Sequence, residues 1–150
     1  MNVGDIMTRD VVTIGAEAKV AQVVRLMLDK DLSGLPVVDQ EGNVLGLITQ
    51  RDVVTKHAHP HVPLYLGILG TAIPIFGRES DEELRRVLAV NASDLMGETE
   101  TVSSATDVTD LADLMVEKGA NPLPVVDDGR LVGIVSYADV LRLIYREESE

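Results

Sequence analysis

The sequence predicts an α/β (α+β) fold made of two pseudo-symmetric βαββα units packed sheet to sheet. Three observations predict it. The run Leu35-Pro36-Val37-Val38-Asp39 returns as Leu123-Pro124-Val125-Val126-Asp127, 88 positions further on. The flanks repeat with it: Asp5-Ile6-Met7 is answered by Asp94-Leu95-Met96, and Thr49-x-x-Asp52 by Ser136-x-x-Asp139. Within each copy the apolar pattern passes from helical spacing to short β-branched runs. A unit of roughly 55 residues buries too little surface to be secure alone, and pairing two copies supplies the missing core.

Each copy opens with a short helical turn at its Asp-x-Met segment, followed by a strand near Thr13 or Thr101. Val20, Val23, Val24 and Met27 then stand at i, i+3, i+4 and i+7, one face of a helix, and Val108, Leu111, Ala112 and Met115 do the same. In the second copy Ser104 with Asp107 three residues on reads as the start of that helix. Strands follow at 36–38 and 124–126. The turn Asp128-Gly129 suits a tight hairpin, because glycine accepts positive φ; the first copy turns around Glu41-Gly42 with one residue more. Returning strands occupy 44–48 and 131–135, and closing helices open at Thr49 and Ser136.

The organisation expected is repeat 1 over 1–57, an insert over 58–89, repeat 2 over 90–146 and an acidic, solvated tail over 147–150. In the insert, Pro60, Pro63, Gly67, Gly70, Pro74 and Gly77 punctuate an apolar loop. Ser80-x-x-Glu83 then forms a capping box for a short helix with Leu84, Val87 and Leu88 inward. A loop this apolar is expected to pack on the module or on a second subunit.

Composition narrows the function. The chain has 150 residues, 25 acidic against 13 basic, for a net charge of −12. Such a balance argues against non-specific nucleic-acid binding, which needs a basic stripe. Tyr65, Tyr137, Tyr145 and Phe76 are too few for a base-stacking platform. The absence of cysteine excludes disulfides, thiolate metal sites and a Cys nucleophile. Asp5, Arg9 and Asp10 stand where a secretory signal needs an apolar run. The longest uncharged apolar stretch, 64–76, is broken by Gly67, Gly70 and Pro74 and is short of the roughly 20 residues of a spanning helix. A cytoplasmic protein with no membrane partner is the expectation. No phosphate loop, nucleophile elbow or His-Glu-x-x-His stretch occurs, so no enzymatic activity is expected.

The recurrent Thr49/Asp52 and Ser136/Asp139 pairs have two readings. A hydroxyl with an acid three residues later is a capping box. The same helix start offers backbone N–H groups and a positive dipole end to a phosphate, while an acid one turn in can accept from a ribose diol. One hydroxyl can serve both purposes. Alternating His57, His59 and His61 beside Pro60 could ligate a metal or form a polar loop. They have no cysteine or evident carboxylate partner within the tract.

Together, the doubled Asp-Ile/Leu-Met, Leu-Pro-Val-Val-Asp and Gly-x-x-Thr/Ser-x-x-Asp motifs resemble a tandem pair of CBS (cystathionine-β-synthase) domains, a Bateman module, over about 1–57 and 90–146. The resemblance implies a regulatory module that binds AMP, ADP, ATP or S-adenosylmethionine in two clefts between the paired sheets, with no cofactor required. Carried over by position, the first cleft would use Thr13, Leu32, Ser33, Pro36, Thr49 and Asp52, and the second Thr101, Ala120, Asn121, Pro124, Ser136 and Asp139. Asp52 and Asp139 would hold the ribose. Main-chain groups at Leu32-Ser33 and Ala120-Asn121 would read the adenine. Ile14, Val102, Pro36 and Pro124 would wall the ring or simply pack the core. Tyr137 would stack on the ligand or cover the cleft mouth.

The copies differ in local charge: Lys19 and Arg51 in the first stand where the second has Asp107 and Ala138. Polyphosphate needs local cations in so acidic a protein, which favours the Asp52 cleft for nucleotide. The resemblance also implies a homodimer and a protein partner that reads the conformational change, since no effector segment is evident. The alternatives are a structural dimerisation module with empty clefts and a metal-dependent enzyme built on the histidine tract.

Overall fold

The computed structural model describes residues 1–56 and 90–149. The insert expected over 58–89, with its capping box, and the tract of His57, His59 and His61 lie outside the described residues. The first copy supplies α1 (Val3–Ile6), β1 (Ile14–Gly15), α2 (Val20–Lys30), β2 (Gly34–Val38), β3 (Val44–Thr49) and α3 (Gln50–Lys56). The second supplies α4 (Ala92–Leu95), α5 (Val108–Lys118), β4 (Leu123–Asp127), β5 (Arg130–Val135) and α6 (Tyr137–Glu148). The first copy follows the predicted element order in full; in the second the strand expected near Thr101 is reduced to a single bridge at Val102, opposite Val125.

The elements gather into two compact units, and neither is one contiguous copy. Unit 1 comprises Met1–Val12, Asp39–Val44 and Glu98–Glu150; unit 2 comprises Thr13–Val38 and Leu45–Gly97. Each copy's opening Asp-x-Met segment therefore belongs to the unit built on the other copy.

In unit 1, β4 and β5 pair antiparallel from Leu123↔Val135 to Asp127↔Arg130, with an irregularity between Val125 and Val126. The joining turn has positive φ at Asp128 (50°) and Gly129 (79°), the backbone of a tight primed hairpin. Val102 adds a parallel rung opposite Val125. Its N–H donates to Pro124 O (3.1 Å), and its carbonyl accepts from Val126 N–H (2.8 Å). Val3, Val102, Leu111, Met115, Leu123, Val125 and Val135 form the buried core, with Ile6, Met7, Ala120 and Val140 packed against it.

The exchanged segment is tied in by backbone. The N–H groups of Val3 and Gly4 donate to Thr106 O and Ser104 O, both at 2.8 Å. Thr8 and Ile134 exchange two hydrogen bonds of 2.9 Å. The Met7 side chain lies across Gly133, so close that a Cβ there would stand 2.5 Å from Met7 Sδ and 3.0 Å from Thr8 O.

Unit 2 repeats the arrangement. β1 runs parallel to β2 through Ile14↔Val37, in a sheet of order β1-β2-β3. α2 buries Val20, Val23, Val24 and Met27, the face its spacing predicts. α4 is held where Ala92 N–H donates to Ala18 O (2.7 Å) and Ser93 N–H to Ala16 O (2.9 Å). Leu47 and Gly97 exchange two hydrogen bonds (3.1 and 3.0 Å), and a Cβ on Gly46 would meet Gly97 O at 2.8 Å and Met96 Sδ at 2.9 Å.

Two local expectations are corrected. α5 is capped by Asp107 itself, which accepts from Thr109 N–H at 2.8 Å and is held below the usual carboxylate range chiefly by that bond. Ser104 turns away to donate from Oγ to Asp127 Oδ2 (2.5 Å), because the end of β4 brings that carboxylate within reach of both Ser103 and Ser104. At the far end, α6 continues to Glu148 and so takes in the first half of the expected tail, its side chains still in solvent.

The close approach of Met7 to Gly133 generates a testable expectation. Gly133→Val forces Met7 and the Thr8 carbonyl away from β5 and lowers stability by about 1–3 kcal/mol, the usual range for overpacking. A urea denaturation midpoint equal to the parent's would show that the approach is not a constraint.

Candidate functional site

All eight first-copy candidates lie in unit 2, and all eight second-copy candidates lie in unit 1. In unit 2, Thr13 is exposed at the end of the segment leading to β1, while Ile14 and Pro36 are buried. The turn between α2 and β2 is fastened to the start of α3. Gln50 N–H donates to Ser33 O (3.0 Å), and Gln50 Nε2 donates to Leu32 O (3.1 Å). This brings Leu32 and Ser33 to the Thr49/Asp52 pair. There Thr49 N–H and Oγ1 donate to Asp52 Oδ2 (2.8 and 3.0 Å), while Asp52 N–H donates back to Thr49 Oγ1 (3.1 Å). The capping box is thus fully formed.

Unit 1 shows the same plan with different chemistry. Tyr137 N–H donates to Asn121 Oδ1 (2.9 Å), so a side-chain amide, not a backbone carbonyl, ties the turn to the closing helix. Tyr137 Oη reaches back to Met115 O at 3.4 Å. Ser136 N–H and Oγ donate to Asp139 Oδ2 (2.8 and 3.2 Å). Asp139 is only 8% exposed, and its Oδ1 accepts from Arg142 Nη1 at 2.6 Å. Thr101 is exposed beside Val102, whereas Pro124 is buried. Val102 belongs to the core, and Ala120 packs against it.

The helix starts therefore offer less to a phosphate than the sequence suggested. The first backbone N–H of each closing helix is taken by its turn, and the acid of each pair caps its own helix. The cations assigned to the first copy are also committed. Lys19 Nζ donates to Asn91 Oδ1 (2.8 Å), and Arg51 is likewise engaged.

Unit 1 contains a cavity of about 420 Å³ lined by Asp139, Arg142, Leu143, Arg146 and Glu147 of α6 and by Met1, Asp5, Ile6 and Thr8 of the exchanged segment. Its size falls in the range that holds a small ligand. Of the second-copy candidates only Asp139 lines it. Sequence reasoning missed the others for two reasons. Arg142 and Arg146 were legible, because three and seven residues after Asp139 is the same helical face. Met1, Asp5, Ile6 and Thr8 were not, because they come from the other copy's opening segment. The charge comparison between the copies looked only at residues ahead of each acid, and so passed over these two guanidinium groups and the Asp5 and Glu147 carboxylates that line the same cavity.

Known proteins resemble this arrangement. A family model for the CBS domain matches residues 3–59 and 92–146. The uncharacterized protein MK0525 of Methanopyrus kandleri is 28% identical over 145 residues, covering 95% of this chain and 62% of its own length. The uncharacterized protein MJ1426 of Methanocaldococcus jannaschii is 30% identical over 156 residues, with 96% and 91% covered. The chain thus spans less than two thirds of the Methanopyrus relative and nearly all of the Methanocaldococcus one. The solved CBS domain of a CBS domain containing membrane protein from Sphaerobacter thermophilus is 33% identical, with a TM-score of 0.76, covering 95% of this chain and 87% of that one. CBSX2 of Arabidopsis thaliana, solved in complex with AMP, is 26% identical, with a TM-score of 0.72 and 98% of both chains covered.

The caps carry a consequence that needs no ligand. Asp139→Ala removes the acceptor of two Ser136 donors and lowers the stability of the ligand-free protein by about 1 kcal/mol, a typical value for a lost cap. Unchanged thermal unfolding would deny the cap any energetic role.

Proposed function

The chain belongs to the CBS-domain family, and from that premise we propose that it is a regulatory module that binds an adenosine-containing ligand (AMP, ADP, ATP or S-adenosylmethionine) and signals to a partner protein by changing shape. The observation that carries this reading is the cavity beside Asp139. A buried carboxylate, two arginines and an apolar strip from Met1, Ile6 and Leu143 converge on it. Carboxylate suits a ribose hydroxyl, guanidinium suits phosphate, and the apolar strip suits a purine face. The AMP complex of CBSX2 supports the ligand class. Thr49 and Asp52, with the Leu32-Ser33 turn beside them, are the proposed counterpart in unit 2. The work is regulatory, not catalytic: a ligand biases one of two states by binding it more tightly. A cytoplasmic location is part of the same proposal, and among the described residues no helix is long and apolar enough to cross a membrane.

A structural dimerisation module is the second reading, and one observation favours it: both ribose candidates already serve as helix caps. Either reading includes a homodimer. On α6 the exposed side chains Tyr137, Leu141, Ile144 and Tyr145 form an apolar stripe at helical spacing that a second copy could cover.

Thermal unfolding with AMP, ADP, ATP and S-adenosylmethionine separates the readings. A ligand at 100 times its Kd adds about 2.7 kcal/mol, a clear rise in Tm. That rise should shrink in Asp139→Ala and vanish when Asp52→Ala is added; a flat panel leaves the structural module standing. The homodimer is checked by light scattering, where a molar mass of one chain at micromolar concentration rejects it.

A further inference from the structure

The Asp139 carboxylate is presented to the cavity with both oxygens already in use. Oδ2 accepts from Ser136 N–H and Oγ to cap α6, and Oδ1 accepts from Arg142 Nη1 at 2.6 Å. A ligand hydroxyl seeking this acid must take its acceptor from Oδ1, because loosening Oδ2 would uncap the helix. Oδ1 is the oxygen that Arg142 holds.

The two partners differ in freedom. The Asp139 side chain is 8% exposed, that of Arg142 66%. The exposed guanidinium is free to swing, and it can leave if another anion receives it and a ligand hydroxyl takes its place on the buried acid. The other charged groups lining the cavity are Asp5, Arg146 and Glu147. Asp5 already accepts from Asn2 N–H through Oδ2 (2.9 Å). Arg146 stands one helical turn beyond Arg142 on the same face and adds positive charge where the displaced guanidinium would swing.

We propose that Arg142 is a displaceable latch on Asp139 that makes the cavity select phosphorylated adenosine over its uncharged or cationic relatives. This rests on the reading of the cavity as an adenosine site. A nucleotide phosphate offers Arg142 a new charge-assisted partner, so the guanidinium moves to the phosphate and Oδ1 is released to the ribose. Adenosine supplies no such anion: its ribose hydroxyl must share Oδ1 with Arg142, through the one lone pair the guanidinium leaves. S-adenosylmethionine, with its sulfonium charge near the ribose, meets the latch with repulsion.

The test is equilibrium binding of AMP and of adenosine, by calorimetry, to the full chain and to its R142Q, R142K and D139A variants, each first shown by thermal unfolding to be folded. D139A identifies which binding belongs to this cavity. R142Q keeps an unbranched polar side chain, though a shorter one, and removes the charge. It should weaken AMP about tenfold, the loss of one charge-assisted hydrogen bond, while adenosine binds as well as before or better. R142K should keep part of the AMP preference. If AMP binding depends on Asp139 but R142Q shifts AMP and adenosine by the same factor, or shifts neither, Arg142 is a structural ion pair and the latch is wrong. If AMP does not bind the parent, or binds it and D139A alike, the adenosine reading of the cavity fails and takes the latch with it.

Discussion

A methionine laid across a strand glycine is the contact on which the fold depends. Met7 covers Gly133 and Met96 covers Gly46, and in each case the neighbouring backbone approaches so closely that no Cβ fits. The approach lets the chain beside each methionine pair with the strand, Thr8 with Ile134 and Gly97 with Leu47. Any larger residue would separate the two backbones and leave those N–H and C=O groups without partners, at a cost comparable to a lost hydrogen bond each. Neither unit closes from its own copy alone: the exchanged segment brings Val3 to one core and Ala92 and Leu95 to the other. The duplication is therefore not two beads on a string, and removing one opening segment damages the unit of the opposite copy.

The second organising device is the acid that caps a helix start. Asp5, Asp52, Asp94 and Asp139 each accept from the backbone N–H three residues earlier, at 2.8 to 3.2 Å. In a chain this acidic, placing carboxylates at helix N-termini sets each charge against the favourable end of a helix dipole. It also places an acid at the start of each unit's closing helix. At Asp139 the cap occupies Oδ2, and Arg142 holds Oδ1.

Between the copies, equal motif positions have taken different work. Asp39 folds its own turn, accepting from the N–H groups of Glu41 and Asn43, and the Asn43 backbone bond leads in holding its carboxyl below the usual range. Asp127, its repeat partner, instead receives the hydroxyls of Ser103 and Ser104, and the Ser104 hydroxyl leads in lowering it. Gln50 binds its turn through carbonyls and Tyr137 through the Asn121 side chain. The copies keep one backbone plan while their polar surfaces diverge.

Much of this was legible in the residues. Helix faces, strand runs, the Asp128-Gly129 turn and the paired capping boxes are local matters, decided by side-chain spacing and by hydrogen bonds reaching three or four residues, so the sequence alone determined them. The repeat likewise declared the fold class. What only the tertiary structure decided is which segments share a unit. Nothing local in Asp5-Ile6-Met7 tells that it belongs beside β5 and not beside β3, since both strands carry the same Gly and present the same edge. The choice depends on closing the chain over more than a hundred residues. For the same reason the cavity wall contributed by Met1, Asp5, Ile6 and Thr8 was hidden, while Arg142 and Arg146 could have been found from helical spacing alone: one relation is set by long-range packing, the other by the pitch of a helix.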